Sequence, residues 1–253
     1  MSDRDFISLE DVWKLYAVAD LPALDGVDLS ISEGEFVALM GPSGSGKSTL
    51  LTILGAMNKP TRGSVRFEGI DVYGLTDERR ADFRNEYLGF VFQQHHLMPY
   101  LTAVENVELP LVVTRLGARE KRELALRALE SVGLGDMERR LPSELSGGEQ
   151  ARVAIARAVV NEPPLILADE PTGNLDSGTG RAVMELLSEL NRAGHTVVVV
   201  THDESVARLA RRVVRLLDGQ VVGDSSLGDS DPARDPQAEF LDDHDRAAVE
   251  SRR

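Results

Sequence analysis

The amino-acid sequence predicts an α/β fold with a mixed, largely parallel sheet at its core, an N-terminal antiparallel β subdomain and an inserted helical subdomain. Three observations support this prediction. Short apolar strands dominate residues 6–39, strands alternate with helices after residue 164, and the stretch from about 102 to 160 is rich in helices. Strands that alternate with helices are typical of a parallel sheet.

The N-terminal part predicts strands, a helix and a hairpin. Pro22, Gly26 and the polar run SEGE separate three apolar runs, FISLEDVWKLY, VDLSI and EFVALM, which we expect to be strands. From Lys47 the run KSTLLTILGAM has helical spacing and ends near residues 58–60. Beyond it, we predict a β-hairpin in GSVRFEGIDV, a polar helix in TDERRADFRNEY and a buried strand in LGFVFQ.

The second half predicts the helical subdomain and then the rest of the sheet. Helical patterns occur in AREKRELALRALESVGL and GGEQARVAIARAVV, followed by strand LILAD, helix GTGRAVMELLSELNRA, strand TVVVVT, helix DESVARLARR and strand VVRLLDG. We therefore place one domain over residues 6–222, with the helical subdomain at about 95–160. Residues 223–253 are acidic and poor in apolar side chains, which predicts a disordered tail, with a specific binding tail as the alternative.

Composition excludes several functions. The formal net charge of −14 argues against sequence-independent nucleic-acid binding, which depends on Lys and Arg. Because there are no cysteines, disulfide scaffolds, thiolate metal sites and cysteine nucleophiles are excluded. The start MSDRDF lacks a signal-peptide pattern, and no apolar run approaches the roughly 20 residues that span a bilayer, so we expect a cytoplasmic protein without direct bilayer insertion. The acidic, lysine-poor composition fits either salt adaptation or a GC-rich genome with an acidic tail.

A glycine-rich stretch, GPSGSGKS at residues 41–48, fits the pattern G-x-x-x-x-G-K-[ST] between a predicted strand and a predicted helix. Glycines allow successive N–H groups to form a concave anion nest at a helix N-terminus. Lys47 would reach the β- and γ-phosphates, and Ser48 would place its hydroxyl on Mg²⁺. The core is therefore predicted to be that of a P-loop NTPase, with nucleotide-binding residues Gly41, Pro42, Ser43, Gly44, Ser45, Gly46, Lys47, Ser48 and Thr49.

Two adjacent carboxylates follow the apolar run LILA, at the end of a predicted parallel strand. We expect Asp169 to hold Mg²⁺, mostly through water, and Glu170 to orient and deprotonate the attacking water. Taken alone, such a pair is more often a helix N-cap or a surface turn. The glycine-rich stretch on the same chain favours the catalytic interpretation.

In a third segment, LSGGEQARVAIARA, a predicted helix begins with Ser146, Gly147 and Gly148, so the chain has a second helix N-terminus suited to bind phosphate. A single γ-phosphate does not need two such binding sites on the same side. The sequence therefore resembles the nucleotide-binding subunit of ATP-binding-cassette (ABC) proteins, in which this segment closes over the ATP of a second subunit. The resemblance implies an ATP-dependent homodimer that hydrolyses ATP. Glu149 departs from the commoner LSGGQ, and we expect this difference to matter little.

The resemblance extends over about Leu9–Val222 and assigns further roles. Tyr16 matches the aromatic residue that stacks on adenine, and Gln93 in GFVFQ matches the glutamine that touches Mg²⁺ and the water. Asp176 in GNLD matches a loop that communicates across the dimer, and His202 in VVVVTHD matches the histidine that contacts the γ-phosphate. Lys47 and His202 would neutralise charge that develops on the γ-phosphate.

Each of these assignments has a plainer alternative. Tyr16 could be an ordinary core residue, Gln94 could be confused with the preceding glutamine, and His202 could be a structural histidine. The pair His95 and His96 suggests a metal site, but no carboxylate or histidine stands nearby at ligand spacing, so we do not expect zinc.

The runs PALDGVDLSI, FVFQQHHLMPYLTAVENVELPL and LADEPTGNLD resemble the branch that includes lipoprotein-release, macrolide-efflux and cell-division ATPases. This implies a transmembrane permease subunit that contacts about Gln94–Val113, and a location on the inner face of the cell membrane. The alternative is a soluble ABC ATPase acting on ribosomes or nucleic acid, which the single cassette and the negative charge disfavour. A P-loop kinase or GTPase would leave LSGGE and THD unexplained. The transported substrate cannot be inferred from this chain.

Overall fold

The computed structural model of the protein describes residues 5–17 and 21–226. Its strands are β1 (Ile7–Lys14), β2 (Leu24–Ile31), β3 (Phe36–Met40), β4 (Arg62–Phe67), β5 (Ile70–Asp71), β6 (Leu88–Phe92), β7 (Leu165–Asp169), β8 (Thr196–Val200), β9 (Arg212–Leu217) and β10 (Gln220–Ser226). They form a four-stranded sheet in the order β2-β1-β4-β5 and a six-stranded sheet in the order β10-β9-β3-β8-β7-β6.

The four-stranded sheet is antiparallel throughout. β1 pairs with both β2 and β4, so that Ile7 lies opposite Ile31 on one side and Phe67 on the other. β4 and β5 form the hairpin expected from GSVRFEGIDV. This sheet confirms the predicted N-terminal antiparallel β subdomain.

The six-stranded sheet is parallel except at one edge. β3 pairs in parallel with β8 and β9, and β7 pairs in parallel with β6 and β8, whereas β10 runs antiparallel to β9. In this register Asp169 lies opposite Phe92 and Val200. Because parallel strands end at one edge, the segments that follow β3, β6, β7 and β8 meet there. The predicted mixed, largely parallel sheet is confirmed.

Seven helices occur in the described part of the chain. They are α1 (Lys47–Leu54), α2 (Asp77–Tyr87), α3 (Ala103–Glu108), α4 (Ala118–Ser131), α5 (Gly147–Val159), α6 (Ser177–Arg192) and α7 (Glu204–Ala207). A 3₁₀ turn at Leu109–Val113 follows α3. No helix within residues 5–17 and 21–226 is both long and apolar enough to cross a bilayer.

The core has two apolar clusters, one on each face of the six-stranded sheet. Alternate residues of β3 divide between them: Val37 and Leu39 pack with α1 and the antiparallel sheet, and Ala38 packs with α6 and the helical subdomain. All three side chains are fully buried. Since burial of one Val or Leu contributes about 1.5–3 kcal/mol, the two clusters fix the sheet between its layers.

The helical subdomain is built from α3, α4 and α5. A capping box begins α3, since the Thr102 hydroxyl accepts from the Glu105 N–H and the Glu105 carboxylate accepts from the Thr102 N–H. Asn106 is fully buried, and its side chain donates to the carbonyls of Leu101 and Thr102 and accepts from the Met98 N–H at 2.7 Å. These bonds hold the loop between β6 and α3.

Two boundaries differ from the sequence prediction. The helix predicted in DESVARLARR has only the turn α7, because the chain must reverse before β9 begins at Arg212. The sequence places the domain end at residue 222, whereas β10 continues to Ser226. The side chain of Arg212 donates twice to the Asp224 carboxylate, at 2.7 and 2.6 Å, which holds the end of this polar strand. The remaining residues assigned to the acidic tail, 227–253, lie outside the described residues.

Candidate active site

An open groove of about 610 Å³ lies at the edge where the parallel strands end. It brings together the segment after β3, which we call the phosphate loop (residues 41–48), with the segments after β7 and β8. The lining residues are Ala23, Gly41, Pro42, Ser43, Gly44, Gly46, Lys47, Ser48, Thr49, Glu170 and His202. All of them except Ala23 were expected from sequence.

The glycines of the phosphate loop differ in what they face. Gly46, the N-cap of α1, has φ of 101°, and a Cβ there would lie 2.4 Å from the carbonyl oxygen of Ala23. Gly44 also has a positive φ, of 83°, but among the described residues nothing except its chain neighbours lies within 4 Å of the Cβ position. The sequence argument assigns every glycine to phosphate, whereas Gly46 is required by a neighbouring segment of the protein itself.

Lys47 is buried at the base of the groove. Its ammonium Nζ donates to the carbonyls of Gly41 and Pro42 at 2.8 and 2.7 Å. Burial lowers the pKa of Lys47, and the nearby carboxylates of Glu170 and Asp169 oppose that shift. The ammonium is therefore fixed at the groove by carbonyl oxygens rather than by an ion pair.

Ser48 and Asp169 join the first turn of α1 to the end of β7. The Ser48 hydroxyl donates to Asp169 Oδ1 at 3.2 Å. Burial raises the pKa of Asp169, and the bond from Ser48 partly opposes this. In the described part of the chain, no three His, Cys, Asp or Glu side chains form a group that could hold a metal. A hydroxyl beside a carboxylate fits Mg²⁺, which binds through few protein oxygens together with phosphates and water.

Glu170 has a left-handed backbone, with φ of 42°. Its N–H donates to the Val200 carbonyl at 3.0 Å, and its own carbonyl accepts from the Gly173 N–H at 3.0 Å. His202 Nδ1 lies 3.3 Å from Glu170 Oε1. The carboxylate and the imidazole, which follow adjacent strands, thus meet at the mouth of the groove.

Several residues expected in the site do not line this groove in the described structure, Asp169 at the end of β7 among them. Tyr16 lies on the loop after β1, where its hydroxyl accepts from Asn58 at 2.8 Å and Lys14 Nζ lies 5.1 Å from its ring centroid. Ser45, a residue of the phosphate loop itself, is buried. The Gln93 side chain packs against Gly173, where a Cβ would lie 2.7 Å from its Nε2.

The other expected residues form a second cluster at the N-termini of α5 and α6. Ser146 caps α5 and Asp176 caps α6, with the Asp176 carboxylate accepting from the Gly178 and Thr179 N–H groups. The two helix ends touch, since a Cβ at Gly148 would lie 2.3 Å from Thr179 Cγ2. Gly147 also belongs to this cluster, because a Cβ at that position would lie 3.3 Å from Leu175 Cδ2.

Glu149 caps the N-terminus of α5, and the expectation that its difference from LSGGQ matters little stays a prediction. Its carboxylate accepts from both the N–H and the hydroxyl of Ser146, each at 2.7 Å, in a capping box. These bonds lower the pKa of Glu149. The spacing S-x-x-E is a capping-box signal that could have predicted the contact.

Ala23 is the lining residue that sequence reasoning missed. It stands just before β2, and its N–H donates to the Lys14 carbonyl at 2.7 Å. An alanine on a loop carries no chemical signal, so only the folded chain reveals its position beside the phosphate loop.

Comparison with known proteins gives the family. The ABC transporter family matches residues 24–173. The chain is 50% identical over 222 residues to an uncharacterised ABC transporter ATP-binding protein of Thermotoga maritima, covering 87% of this chain and 95% of that protein. It is 48% identical over 227 residues to the macrolide export ATP-binding/permease protein MacB of Marinobacter nauticus, covering 89% of this chain but only 35% of that protein.

A solved structure agrees with the sequence comparison. The cassette MJ0796 is a protein of Methanocaldococcus jannaschii that is 51% identical to this chain over 228 residues. Its dimeric post-hydrolysis structure, bound to ADP and Pi, superposes with a TM-score of 0.80 and covers 87% of this chain and 98% of that one. We conclude that the chain belongs to the ABC transporter family and is an ATP-binding, ATP-hydrolysing subunit of that family.

Proposed function

We propose that the groove binds the triphosphate of ATP and that hydrolysis takes place beside Glu170. The observation that carries this proposal is the convergence of Lys47, Ser48 and Glu170 on one groove at the N-terminus of α1. The positive end of a helix dipole and the loop N–H groups favour phosphate there. Lys47 bonds to loop carbonyls, and phosphate oxygens would take their place.

The chain's own residues would then perform the reaction. Glu170 would orient the attacking water and accept its proton, and His202, 3.3 Å away, would steady that carboxylate and contact the γ-phosphate. Ser48 and Asp169 would hold Mg²⁺, with Gln93 as a further ligand. The metal, when bound, supplies positive charge that neutralises the phosphates. Tyr16 would stack on adenine from the loop after β1.

The second cluster supports closure by a second copy of the chain. Ser146, Gly147 and Gly148 are absent from the lining of the groove on their own chain. An N-terminus of an α-helix is a general phosphate site, so these residues would complete the groove of a partner copy. Asp176, which caps the neighbouring helix, would face the same boundary. ATP would favour the closed dimer because only the closed state contacts it from both sides.

The surface after β6 would receive the membrane subunit. Between Gln94 and Val113 it exposes Tyr100, Val112 and Val113 at 91, 65 and 75%. A cavity of about 250 Å³ lies beside it, lined in part by Phe90, Phe92, His96 and Pro110. A mixed apolar and aromatic groove fits a short amphipathic helix of a permease. The chain would thereby sit on the inner face of the cell membrane, as the motor of a transporter or mechanotransmission complex.

Closure and hydrolysis are tested with Glu170→Gln. We expect ATP turnover to fall at least 100-fold, because a general base is lost, while ATP and Mg²⁺ convert the monomer to a dimer in light scattering. The control Glu185→Gln changes an exposed carboxylate on α6 that pairs with Arg181. Adding Lys47→Ala to Glu170→Gln should abolish the dimer. A fully active Glu170→Gln variant would exclude this residue as the base.

The membrane partner is tested by purifying the tagged Glu170→Gln protein from its native host with ATP and Mg²⁺. We expect a membrane protein to co-purify, and Val113→Asp to release it. Val222→Asp is the control, since Val222 is also exposed but lies on β10. Co-purification of ribosomal or nucleic-acid-associated proteins alone would instead establish the soluble type of ABC ATPase.

A further inference from the structure

The turn between β9 and β10 lies directly against the phosphate loop. The Gly219 N–H donates to the Ser45 carbonyl at 3.1 Å. Just before this turn, the Leu216 carbonyl lies where a Cβ on Gly41 would be only 2.1 Å away. The phosphate loop therefore contacts the β9–β10 hairpin at two points.

The same turn also holds the segment that enters β2. The Asp25 N–H donates to the Gly219 carbonyl at 2.9 Å, and Gln220 Nε2 donates to Asp25 Oδ2 at 2.7 Å. The Ala23 carbonyl is in close contact with two glycines, since a Cβ would lie 2.4 Å from it on Gly46 and 3.1 Å from it on Gly219. Ala23 is thus packed between the turn and the phosphate loop.

We propose that this turn positions the phosphate loop, with Gly219 as the positioning residue that sets nucleotide affinity. The inference rests on the proposed placement of the phosphates in the groove. An anion nest binds its ligand only while its N–H groups converge, so contacts on the side away from the ligand must hold its backbone in place. Gly219 supports it directly through Ser45 and indirectly through Ala23, which itself lines the groove.

A side chain at 219 would disturb this support. A Cβ would lie 3.1 Å from both the Ala23 carbonyl oxygen and Leu24 Cα, which forces Ala23 to move by a few tenths of an ångström. Because the Ala23 carbonyl also lies against Gly46, this movement would reach the phosphate loop. Because one hydrogen bond to a charged group is worth on the order of tenfold or more in binding, weakening such a bond from the phosphate loop to phosphate should cost about 5- to 20-fold in nucleotide affinity.

The chain contains a matched control for this substitution. The β4–β5 turn has φ of 48° at Glu68 and 83° at Gly69, and the β9–β10 turn has 47° at Asp218 and 82° at Gly219. At Gly69 no atom of the described chain, apart from its sequence neighbours, lies within 4 Å of the Cβ position. Gly69→Ala and Gly219→Ala therefore impose the same local backbone strain, but only Gly219→Ala presses on the site.

The experiment measures ADP binding with Mg²⁺ by calorimetry, together with KM and kcat for ATP, in the full chain. Gly219→Ala should raise the ADP Kd and the ATP KM by about 5- to 20-fold and leave kcat within about twofold, whereas Gly69→Ala should leave all three unchanged. Equal Kd values for the two variants would overturn the proposal. A lower kcat at unchanged KM would also overturn it, because that pattern reports a defect in chemistry.

Two further variants keep the outcome decisive. If Gly219→Ala does not fold, Gln220→Ala removes the side-chain bond to Asp25 and should raise the ADP Kd about two- to threefold, with Val222→Ala on the same strand unchanged. Lys47→Ala separates this inference from the proposed function. If Lys47→Ala leaves ADP binding intact, the phosphates lie elsewhere and both proposals fail; if it abolishes binding while Gly219→Ala has no effect, only the positioning role fails.

Discussion

Substitution by alanine at Gly44 and at Gly46, two residues apart in the phosphate loop, should have different effects. At Gly46 it should mainly reduce stability, and at Gly44 it should mainly reduce nucleotide affinity. Both have positive φ, so an alanine at either position costs about 1–2 kcal/mol of backbone strain. At Gly46 the added Cβ would also lie 2.4 Å from the Ala23 carbonyl oxygen. Relieving such an overlap in packed structure costs about 1–3 kcal/mol more. Gly46→Ala should therefore lose about 2–5 kcal/mol of stability, and Gly44→Ala about 1–2 kcal/mol.

The loss of nucleotide affinity should show the opposite order, with a direct effect of the substitution at Gly44. A Cβ at Gly44 would have no described atom beyond its chain neighbours within 4 Å, and Gly44 lines the groove that we assign to phosphate. Urea unfolding of the nucleotide-free variants, compared at constant m value, measures the stability difference. ADP titration of whatever remains folded measures binding, and Gly44→Ala should lose affinity while it keeps most of its stability. If Gly44→Ala unfolds as readily as Gly46→Ala, or still binds ADP normally, the division between structural and ligand-facing glycines is refuted.

Three further predictions follow from polar contacts away from the groove. The low pKa of Glu149, caused by hydrogen bonds from Ser146, means that its capping contribution is present above the unfolded-state pKa and is lost as pH falls below about 4. Glu149→Gln should keep the cap at neutral pH, and melting curves from pH 3 to 7 should show a weaker acid dependence. Arg212→Met should cost about 2–3 kcal/mol in urea unfolding by breaking the paired bonds to Asp224. Asn106→Leu should cost about 2–4 kcal/mol by the same measurement, because it leaves buried backbone groups unpaired.

Local sequence patterns could predict most strands, most helices and the motif residues that line the groove. This works because the apolar period fixes which face of an element is buried, and because parallel strands bring the segments that follow them to one edge. The residues from Gly41 to Thr49 needed only their own spacing to be recognised. Their elements are close in sequence, so local physics decides them.

Long-range contacts could not be predicted in this way. Ala23 and Gly219 touch the phosphate loop through backbone atoms, and neither residue type identifies its partner. The extension of β10 to Ser226 was also not predicted, because Gly and Asp have low strand propensity. Arg212, at the start of β9, lies opposite Ser226 and supplies the compensating ion pair to Asp224. Such features depend on tertiary contacts rather than on the periodicity of apolar residues in the sequence.

Backbone strain shows how the two proposed surfaces are connected. His95 and His96 have φ of 57° and 46°, conformations that L residues rarely adopt and that cost on the order of 1 kcal/mol or more each. They persist because Arg157, in the last turn of α5, donates to both of their carbonyls. The same helix begins at Ser146, which we propose to contact ATP on a second copy. If the segment after β6 receives a membrane subunit as we propose, Arg157 and the 13-residue helix α5 would link its movement to closure at Ser146.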